Sequence, residues 1–110
     1  TSYLNPPIGE FEPDLELAIK DADVIMALRI QYERFEEDMD IDLEEYKYNY
    51  SLTTERICNA KGDVIVMHPG PVNYVEISES LYESDKSIIR QQVANSVAVR
   101  MSILSKFLSR

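Results

Sequence analysis

The sequence contains one cysteine, one histidine and no tryptophan among its 110 residues. The single cysteine, Cys58, excludes a disulfide bond within the chain and a zinc site built from cysteines. We expect it to be a small buried side chain in a protein from a reducing compartment. The single histidine, His68, has no second histidine with which to complete a metal site, and no serine or cysteine nucleophile motif lies near it.

Basic residues are also few, since 11 lysines and arginines stand against 20 aspartates and glutamates and give a net charge of −9. This excess of negative charge argues against a nucleic-acid groove or a surface that binds anionic membranes. No apolar run approaches the roughly 18 residues that a membrane helix needs, and the first residues lack the layout of a signal peptide. We therefore expect a cytoplasmic protein of one domain, in which local arginines could still bind an anionic small molecule.

The stretch from Asp63 to Glu76, DVIVMHPGPVNYVE, predicts a buried strand followed by a stiff turn. The apolar residues 64–67 are typical of a strand that is buried on both faces. The strand stops at Pro69, Gly70 and Pro71, because two prolines around a glycine cannot continue a ladder of hydrogen bonds. The turn would present carbonyl groups at the carboxyl end of the strand, where ligands bind in open α/β sheets.

A second apolar run, residues 23–28, ends in Arg29-Ile30-Gln31. If the two runs are parallel neighbouring strands, Arg29 and Gln31 emerge at the same edge as the Pro-Gly-Pro turn. The guanidinium of Arg29 suits a carboxylate, since its fork of donors can bind both oxygens. The alternative is a surface arginine that pairs with a neighbouring glutamate. The predicted fold class is α/β, a parallel sheet flanked by helices.

Periodicity and capping residues predict helices at residues 14–21, from about 42, at 51–60, at 77–83 and at 86–108. The last is the longest, with Ser84 or Asp85 as its cap. It has more apolar surface than two or three strands can cover, so we expect it to pack against residues outside this sequence. Its stripe consists of Ile89, Val93, Val97, Met101, Leu104 and Leu108.

The acidic segment before residue 43 has aspartates at alternate positions, as at the start of a calcium loop. They are Asp38, Asp40 and Asp42. Leu43 and Asn49 stand where that loop needs glycine and a bidentate glutamate, so we expect a solvated loop without calcium.

His68 is a candidate general base, because an imidazole titrates near neutral pH. Without a nucleophile or a second metal ligand, the better interpretation is an imidazole that orients the adjoining turn by hydrogen bonding. The residues alone therefore predict a binding crevice for an anionic metabolite, without a complete catalytic set.

Four blocks of sequence follow one another along the chain: DADVIMALRIQYERF, YSLTTERI, VMHPGPVN with VEI close behind, and SIIRQQVANSVAVRMSIL. Together they resemble the carboxyl-terminal part of the aspartate carbamoyltransferase family. The resemblance implies that residues 1–85 are part of an L-aspartate-binding α/β domain. It also implies that residues 86–110 form a terminal helix that packs on a carbamoyl-phosphate domain absent from this sequence.

The same resemblance implies a reaction and partners. In the family, the carbamoyl group of carbamoyl phosphate is transferred to L-aspartate in pyrimidine biosynthesis, without a metal or an organic cofactor. The complete chain is expected to form a homotrimer, and regulatory subunits or fused pyrimidine-pathway enzymes are open as further partners. The 110 residues alone are expected to be inactive, because other functional residues of the family lie in parts of the chain that are not present here.

The resemblance also assigns site residues, and it implies that residues 36–42 correspond to a loop that closes over the site. The assigned residues are Arg29 and Gln31 for L-aspartate, Gly70 and Pro71 for carbamoyl phosphate, and His68 and Pro69 as support.

One segment departs from the family pattern. Asn73-Tyr74 stands where the family usually has asparagine, arginine and glycine, so it is one residue shorter and lacks the arginine. This motivates an alternative function, a non-catalytic binding or assembly module derived from the family. A further alternative, ornithine carbamoyltransferase, usually has cysteine directly after the loop histidine, where this chain has Pro69.

Overall fold

The computed structural model describes residues 9–30 and 42–109. Its two strands, β1 (Val24–Met26) and β2 (Ile65–Met67), pair in parallel, with Val24 opposite Ile65 and Met26 opposite Met67. The predicted α/β class with a parallel sheet and a long final helix is confirmed. In chain order the elements are α1 (Leu15–Ile19), β1 (Val24–Met26), α2 (Leu43–Tyr50), a 3-10 helix (Arg56–Asn59), β2 (Ile65–Met67), α3 (Glu79–Tyr82) and α4 (Ile89–Leu108).

Three of the helices begin at a side chain that caps them. Asp14 caps α1 and Asp42 caps α2, each accepting hydrogen bonds from two backbone N–H groups of the first turn. Ser78 caps α3 by accepting from the N–H of Leu81. Each such cap contributes about 1 kcal/mol to the free energy of unfolding, which explains why these short helices begin where they do. Helix α3 starts two residues after the predicted start at residue 77, because Ser78 is its cap.

The core lies on one face of the sheet. Ile25 and Val66 point into it and are buried, whereas Val24 and Met26 on the other face of β1 are 50% and 52% exposed. The expectation that residues 64–67 are buried on both faces is met only in part, because Val66 is buried and Ile65 and Met67 on the other face of β2 are half-buried. The buried core residues are Ile19, Ile25, Ala27, Leu52, Ile57, Val64, Val66, Ile77, Leu81 and Ile89.

The predicted helix at residues 51–60 is wrong in its first half. Leu52 is extended and pairs with Ile77, and the backbone N–H of Ser78 donates to the carbonyl of Leu52 at 2.8 Å. Only the 3-10 helix follows, with the hydroxyl of Thr53 accepting from the N–H of Arg56 at 3.2 Å. Pairing with residue 77 therefore takes precedence over helical propensity at this position.

Cys58 is exposed, so the prediction of a buried cysteine is wrong. It lies in the 3-10 helix, next to Ile57, which is buried. A 3-10 helix has three residues per turn, so it turns only a narrow face inward and Ile57 occupies it. The Cys58 thiol contacts the carbonyl of Thr54 at 3.4 Å instead.

Helix α4 begins at Ile89, three residues later than predicted, and neither Ser84 nor Asp85 caps it. The reason is a bridge between Val66 and the residues before the helix. The N–H of Val66 donates to the carbonyl of Lys86 at 2.8 Å, and the N–H of Ile88 donates to the carbonyl of Val66 at 3.0 Å. These bonds place Ser87 in a parallel bridge beside Val66 of β2, so the helix starts only after Ile88.

Beyond its first turn, α4 leaves the core. Ile89 is buried, whereas Val97, Met101 and Leu104 are each more than half exposed. The apolar stripe of α4 is thus open to packing by residues other than those described. No helix within residues 9–30 and 42–109 is both long and apolar enough to cross a membrane.

Candidate functional site

The carboxyl ends of β1 and β2 meet at one edge of the sheet, and the candidate site lies there. The N–H of Ala27 donates to the carbonyl of Met67 at 2.9 Å, which extends the parallel pairing by one residue. The segment after β1 and the turn after β2 therefore leave the sheet side by side. One contact that joins them is a hydrogen bond from Nε of Arg29 to Oδ1 of Asn73, at 3.2 Å.

His68 lies at the centre of the turn and is completely buried. Its Nδ1 atom accepts a hydrogen bond from the backbone N–H of Gly70 at 2.8 Å, and its Nε2 atom is 2.9 Å from Oε1 of Glu76. Because Nδ1 is an acceptor, the neutral ring carries its proton on Nε2 and donates it to the Glu76 carboxylate. Both ring nitrogens are thus used inside the protein, which favours the predicted orienting role over a general base.

The backbone of His68 is also held. Its N–H donates to the side-chain carbonyl Oε1 of Gln92 in α4 at 2.9 Å. The first turns of the long helix and the turn after β2 are therefore fixed to each other at the point where the sheet ends.

Glu76 is a buried carboxylate that the sequence analysis did not single out. Its Oε1 atom accepts from Nε2 of His68 and from the backbone N–H of Asn73 at 3.0 Å. Its Oε2 atom is buried without a hydrogen-bond partner among the described residues. Two donors on one oxygen compensate part of the cost of burying the carboxylate. The sequence signal that could have identified Glu76 is its position as an acidic residue between valine and isoleucine.

Asn73 makes three hydrogen bonds to described residues and connects the turn to the end of β1. Besides accepting from Arg29 and donating its backbone N–H to Glu76, it donates Nδ2–H to the carbonyl of Ile30 at 2.9 Å. The sequence analysis noted Asn73 only as part of a shortened segment. The partners of its side chain are 43 and 44 residues away in sequence, so local patterns could not reveal them.

The turn itself offers a ligand carbonyl groups and hardly any donors. Pro69 and Pro71 have no N–H, and the N–H of Gly70 is bound by His68. Gly70 has a φ of +76°, in the left-handed region that favours glycine, and the Gly70–Pro71 peptide bond is cis. Pro69 and Pro71 are exposed. The turn predicted at the strand end is therefore present and is poor in free N–H donors; its role in presenting carbonyl groups to a ligand stays a prediction.

Tyr74 follows the turn with a φ of +59°, a conformation that aromatic residues rarely adopt. Its ring packs edge-on against Tyr82 of α3, with 5.9 Å between ring centroids. The guanidinium of Arg90 lies over the ring of Tyr82, 5.2 Å from its centroid. These ring contacts hold the shortened segment in its left-handed turn.

A small cavity of about 140 Å³ lies beside Glu76. Tyr46 and Tyr50 of α2 line it together with Ile25 and Leu52. Burial raises the pKa of the Tyr46 hydroxyl, and the nearby carboxylate of Glu76 raises it further. The cavity is therefore an environment that disfavours an additional negative charge.

The remaining site predictions concern residues outside the described ranges. They are Gln31, the candidate aspartate ligand, and most of the acidic segment 36–42. Within residues 9–30 and 42–109, no group of three or more potential ligands is placed to hold a metal ion.

The comparisons with known proteins agree with one another. A family model described as "Aspartate/ornithine carbamoyltransferase, Asp/Orn binding domain" matches residues 7–107. The aspartate carbamoyltransferase catalytic subunit of Syntrophus aciditrophicus is 55% identical over 91 residues, which are 82% of this chain and 30% of the relative. That of Coxiella burnetii is 45% identical over 107 residues, 96% of this chain and 34% of the relative. The chain thus spans about a third of the length of these curated relatives.

Solved structures give the same fold. Aspartate transcarbamoylase from Trypanosoma cruzi, in complex with carbamoyl aspartate and phosphate, matches with a TM-score of 0.68 and 27% identity, over 81% of this chain and 27% of that one. Ornithine carbamoyltransferase from Pyrococcus furiosus matches with a TM-score of 0.69 and 24% identity, over 84% of this chain and 29% of that one.

Proposed function

We propose, since this chain belongs to the aspartate/ornithine carbamoyltransferase family, that it is part of the catalytic chain of an aspartate carbamoyltransferase. The observation that carries the proposal is the position of Arg29, which is bound to Asn73 at the same sheet edge as the carbonyl-presenting turn. A cation suited to a carboxylate and a turn poor in N–H donors thus lie at the same edge of the sheet.

The proposed reaction joins two substrates by one bond. The amino nitrogen of L-aspartate attacks the carbonyl carbon of carbamoyl phosphate. A C–N bond forms, the bond from that carbon to the phosphate oxygen breaks, and the products are N-carbamoyl-L-aspartate, phosphate and a proton. Such a transfer gains rate when both substrates are held in the correct geometry.

The described residues would contribute to that geometry on both sides. Arg29 would bind a carboxylate of L-aspartate through its fork of N–H donors. The carbonyls of Pro69, Gly70 and Pro71 would accept hydrogen bonds from the carbamoyl and amino N–H groups. His68 would hold the turn through Gly70 and would take no proton from the substrate, because its ring is buried and bound at both nitrogens.

Aspartate is preferred over ornithine as the acceptor substrate on two grounds. The relatives at 55% and 45% identity are aspartate carbamoyltransferase catalytic subunits. The side chain of ornithine ends in an ammonium group, whereas aspartate adds a second carboxylate, so the two substrates need opposite charges at the site. Pro69, where ornithine enzymes usually have cysteine, supports the same choice.

The complete enzyme requires residues beyond this chain. We propose that α4 packs its exposed stripe on a carbamoyl-phosphate domain and that the complete chain forms a cytoplasmic homotrimer. The exposure of Val97, Met101 and Leu104 supports the packing, as does the span of about a third of the relatives' length. The trimer and the cytoplasmic location rest on the family resemblance alone.

An assay of the complete chain tests this function, with carbamoyl phosphate and either L-aspartate or L-ornithine as the second substrate. We expect turnover with L-aspartate, none with L-ornithine, and none by residues 1–110 alone. Binding of L-aspartate without turnover by the complete chain would instead support a non-catalytic module, for which the left-handed Tyr74 in the shortened segment is the motivating observation.

A further inference from the structure

We propose that Asn73 is a positioning residue that sets the orientation of the Arg29 guanidinium and thereby the affinity for the dicarboxylate substrate. This inference rests on the proposed function and names the residue on which the aspartate side of the site depends. Asn73 need not touch a substrate in this role, because it would act through Arg29.

The first step is the atom through which Arg29 is held. Oδ1 of Asn73 accepts from Nε of Arg29 at 3.2 Å. Nε shares one plane with the two terminal nitrogens of the guanidinium. A hydrogen bond at Nε therefore restrains the direction in which the two terminal nitrogens point.

The second step is the orientation of the Asn73 amide. Its Nδ2–H donates to the carbonyl of Ile30 at 2.9 Å. If the amide were reversed, its NH₂ group would face the Nε–H donor and its oxygen would face the carbonyl, so both hydrogen bonds would be lost. The hydrogen bond to the carbonyl of Ile30 thus holds the Asn73 amide in the orientation in which Oδ1 faces Nε of Arg29.

The third step links Asn73 to the turn after β2. Its backbone N–H donates to Oε1 of Glu76, which also binds His68, whose Nδ1 accepts from Gly70. A continuous series of hydrogen bonds therefore runs from the turn proposed for carbamoyl phosphate to the arginine proposed for aspartate. The side chain of Asn73 makes the bond to Arg29, whereas its backbone N–H makes the bond to Glu76.

Because the side chain and the backbone of Asn73 make different bonds, removing the side chain should affect the binding of L-aspartate and not that of carbamoyl phosphate. The Asn73→Ala variant keeps the backbone hydrogen bond to Glu76 and loses only the side-chain bonds to Arg29 and Ile30. Loss of a hydrogen bond to a charged group corresponds to roughly a tenfold to hundredfold change in an equilibrium constant. We expect the KM for L-aspartate to rise about tenfold or more and the KM for carbamoyl phosphate to stay within about twofold of wild type.

Two further variants of the complete chain distinguish positioning from a general loss of structure. Asn73→Asp keeps the acceptor for Arg29, but its carboxylate competes with the substrate for the guanidinium, so the KM for L-aspartate should rise as well. Thermal unfolding of both variants identifies any loss of folding. If Asn73→Ala fails to fold, Asn73→Asp supplies the test.

A double-mutant cycle gives the decisive measurement. Calorimetry with succinate, in the presence of inorganic phosphate, reports binding for wild type, Asn73→Ala, Arg29→Ala and the double variant. If Asn73 acts through Arg29, Asn73→Ala weakens succinate binding about tenfold in the wild type and less than twofold when Arg29 is absent.

Equal effects of Asn73→Ala in both backgrounds, or an unchanged KM for L-aspartate in an active enzyme, would overturn the inference alone. A complete wild-type chain that transfers no carbamoyl group to L-aspartate would overturn the proposed function, and the inference with it.

Discussion

The Nδ1 atom of His68 accepts a hydrogen bond from the backbone N–H of Gly70 at 2.8 Å, two residues further along the chain. This bond closes the turn between the two prolines, and the opposite ring nitrogen is bound to the buried carboxylate of Glu76. The histidine thus joins the turn to a group in the core. Replacement of His68 should therefore affect the stability of the protein more directly than the catalysed reaction.

Substitution of His68 by alanine should lower the free energy of unfolding by about 2–4 kcal/mol, since it removes buried contacts and a hydrogen bond from the Glu76 carboxylate. Urea unfolding of the complete chain measures this loss. The glutamine variant can still donate to Glu76 and should lose less than the asparagine variant, which can replace only the acceptor for Gly70. The reverse order would contradict the role assigned to Glu76.

Substitution of Gly70 by alanine should cost about 1–2 kcal/mol because of the backbone conformation, not because of space. A Cβ atom at this position would meet Cγ2 of Val93 at 3.6 Å, an ordinary contact, whereas the φ of +76° is strained for alanine. Val93→Ala should therefore fail to rescue Gly70→Ala in thermal unfolding. A full rescue would show that crowding, and not φ, requires the glycine.

At Tyr74, glycine should be a better replacement than alanine by about 1 kcal/mol, because only glycine adopts a φ of +59° without a steric penalty. Both variants lose the ring contact with Tyr82 equally, so the comparison isolates the backbone. Chemical unfolding of the two variants provides the measurement. An alanine variant as stable as the glycine variant would exclude the left-handed conformation.

The Tyr46 hydroxyl should titrate above the ordinary tyrosine pKa of about 10, because burial and the Glu76 carboxylate both raise its pKa. Its contribution to stability is therefore complete below the unfolded pKa and is lost as the pH rises through the higher folded pKa. The difference in absorbance between wild type and Tyr46→Phe during alkaline titration reports this pKa. Glu76→Gln should lower it part of the way, and an unshifted midpoint would contradict the packing of α2 beside Glu76.

The sequence was sufficient for features that depend on local signals or on general rules of sheets. Apolar runs predicted both strands, local patterns predicted helices near residues 14–21 and from about 42, and the geometry of parallel strands brought Arg29 to the edge that carries the turn. In each of these cases the physical cause lies within a few residues, or follows from strand direction alone.

The features that sequence reasoning missed depend on contacts between distant segments. Glu76 and Asn73 acquire their roles only through His68 and Arg29. The late start of α4 follows from the hydrogen bonds of residues 86 and 88 with Val66, and no local sequence pattern predicts them. Tertiary pairing overrides helix propensity in such places.

The most direct test of the account is the effect of Arg29→Ala on the complete chain, with Lys20→Ala as a control at an exposed cation. We predict that Arg29→Ala raises the KM for L-aspartate about a hundredfold, since a charge-assisted bidentate contact is lost. The KM for carbamoyl phosphate should stay near that of wild type, and Lys20→Ala should be indistinguishable from it. An Arg29→Ala enzyme with an unchanged KM for L-aspartate would contradict the account.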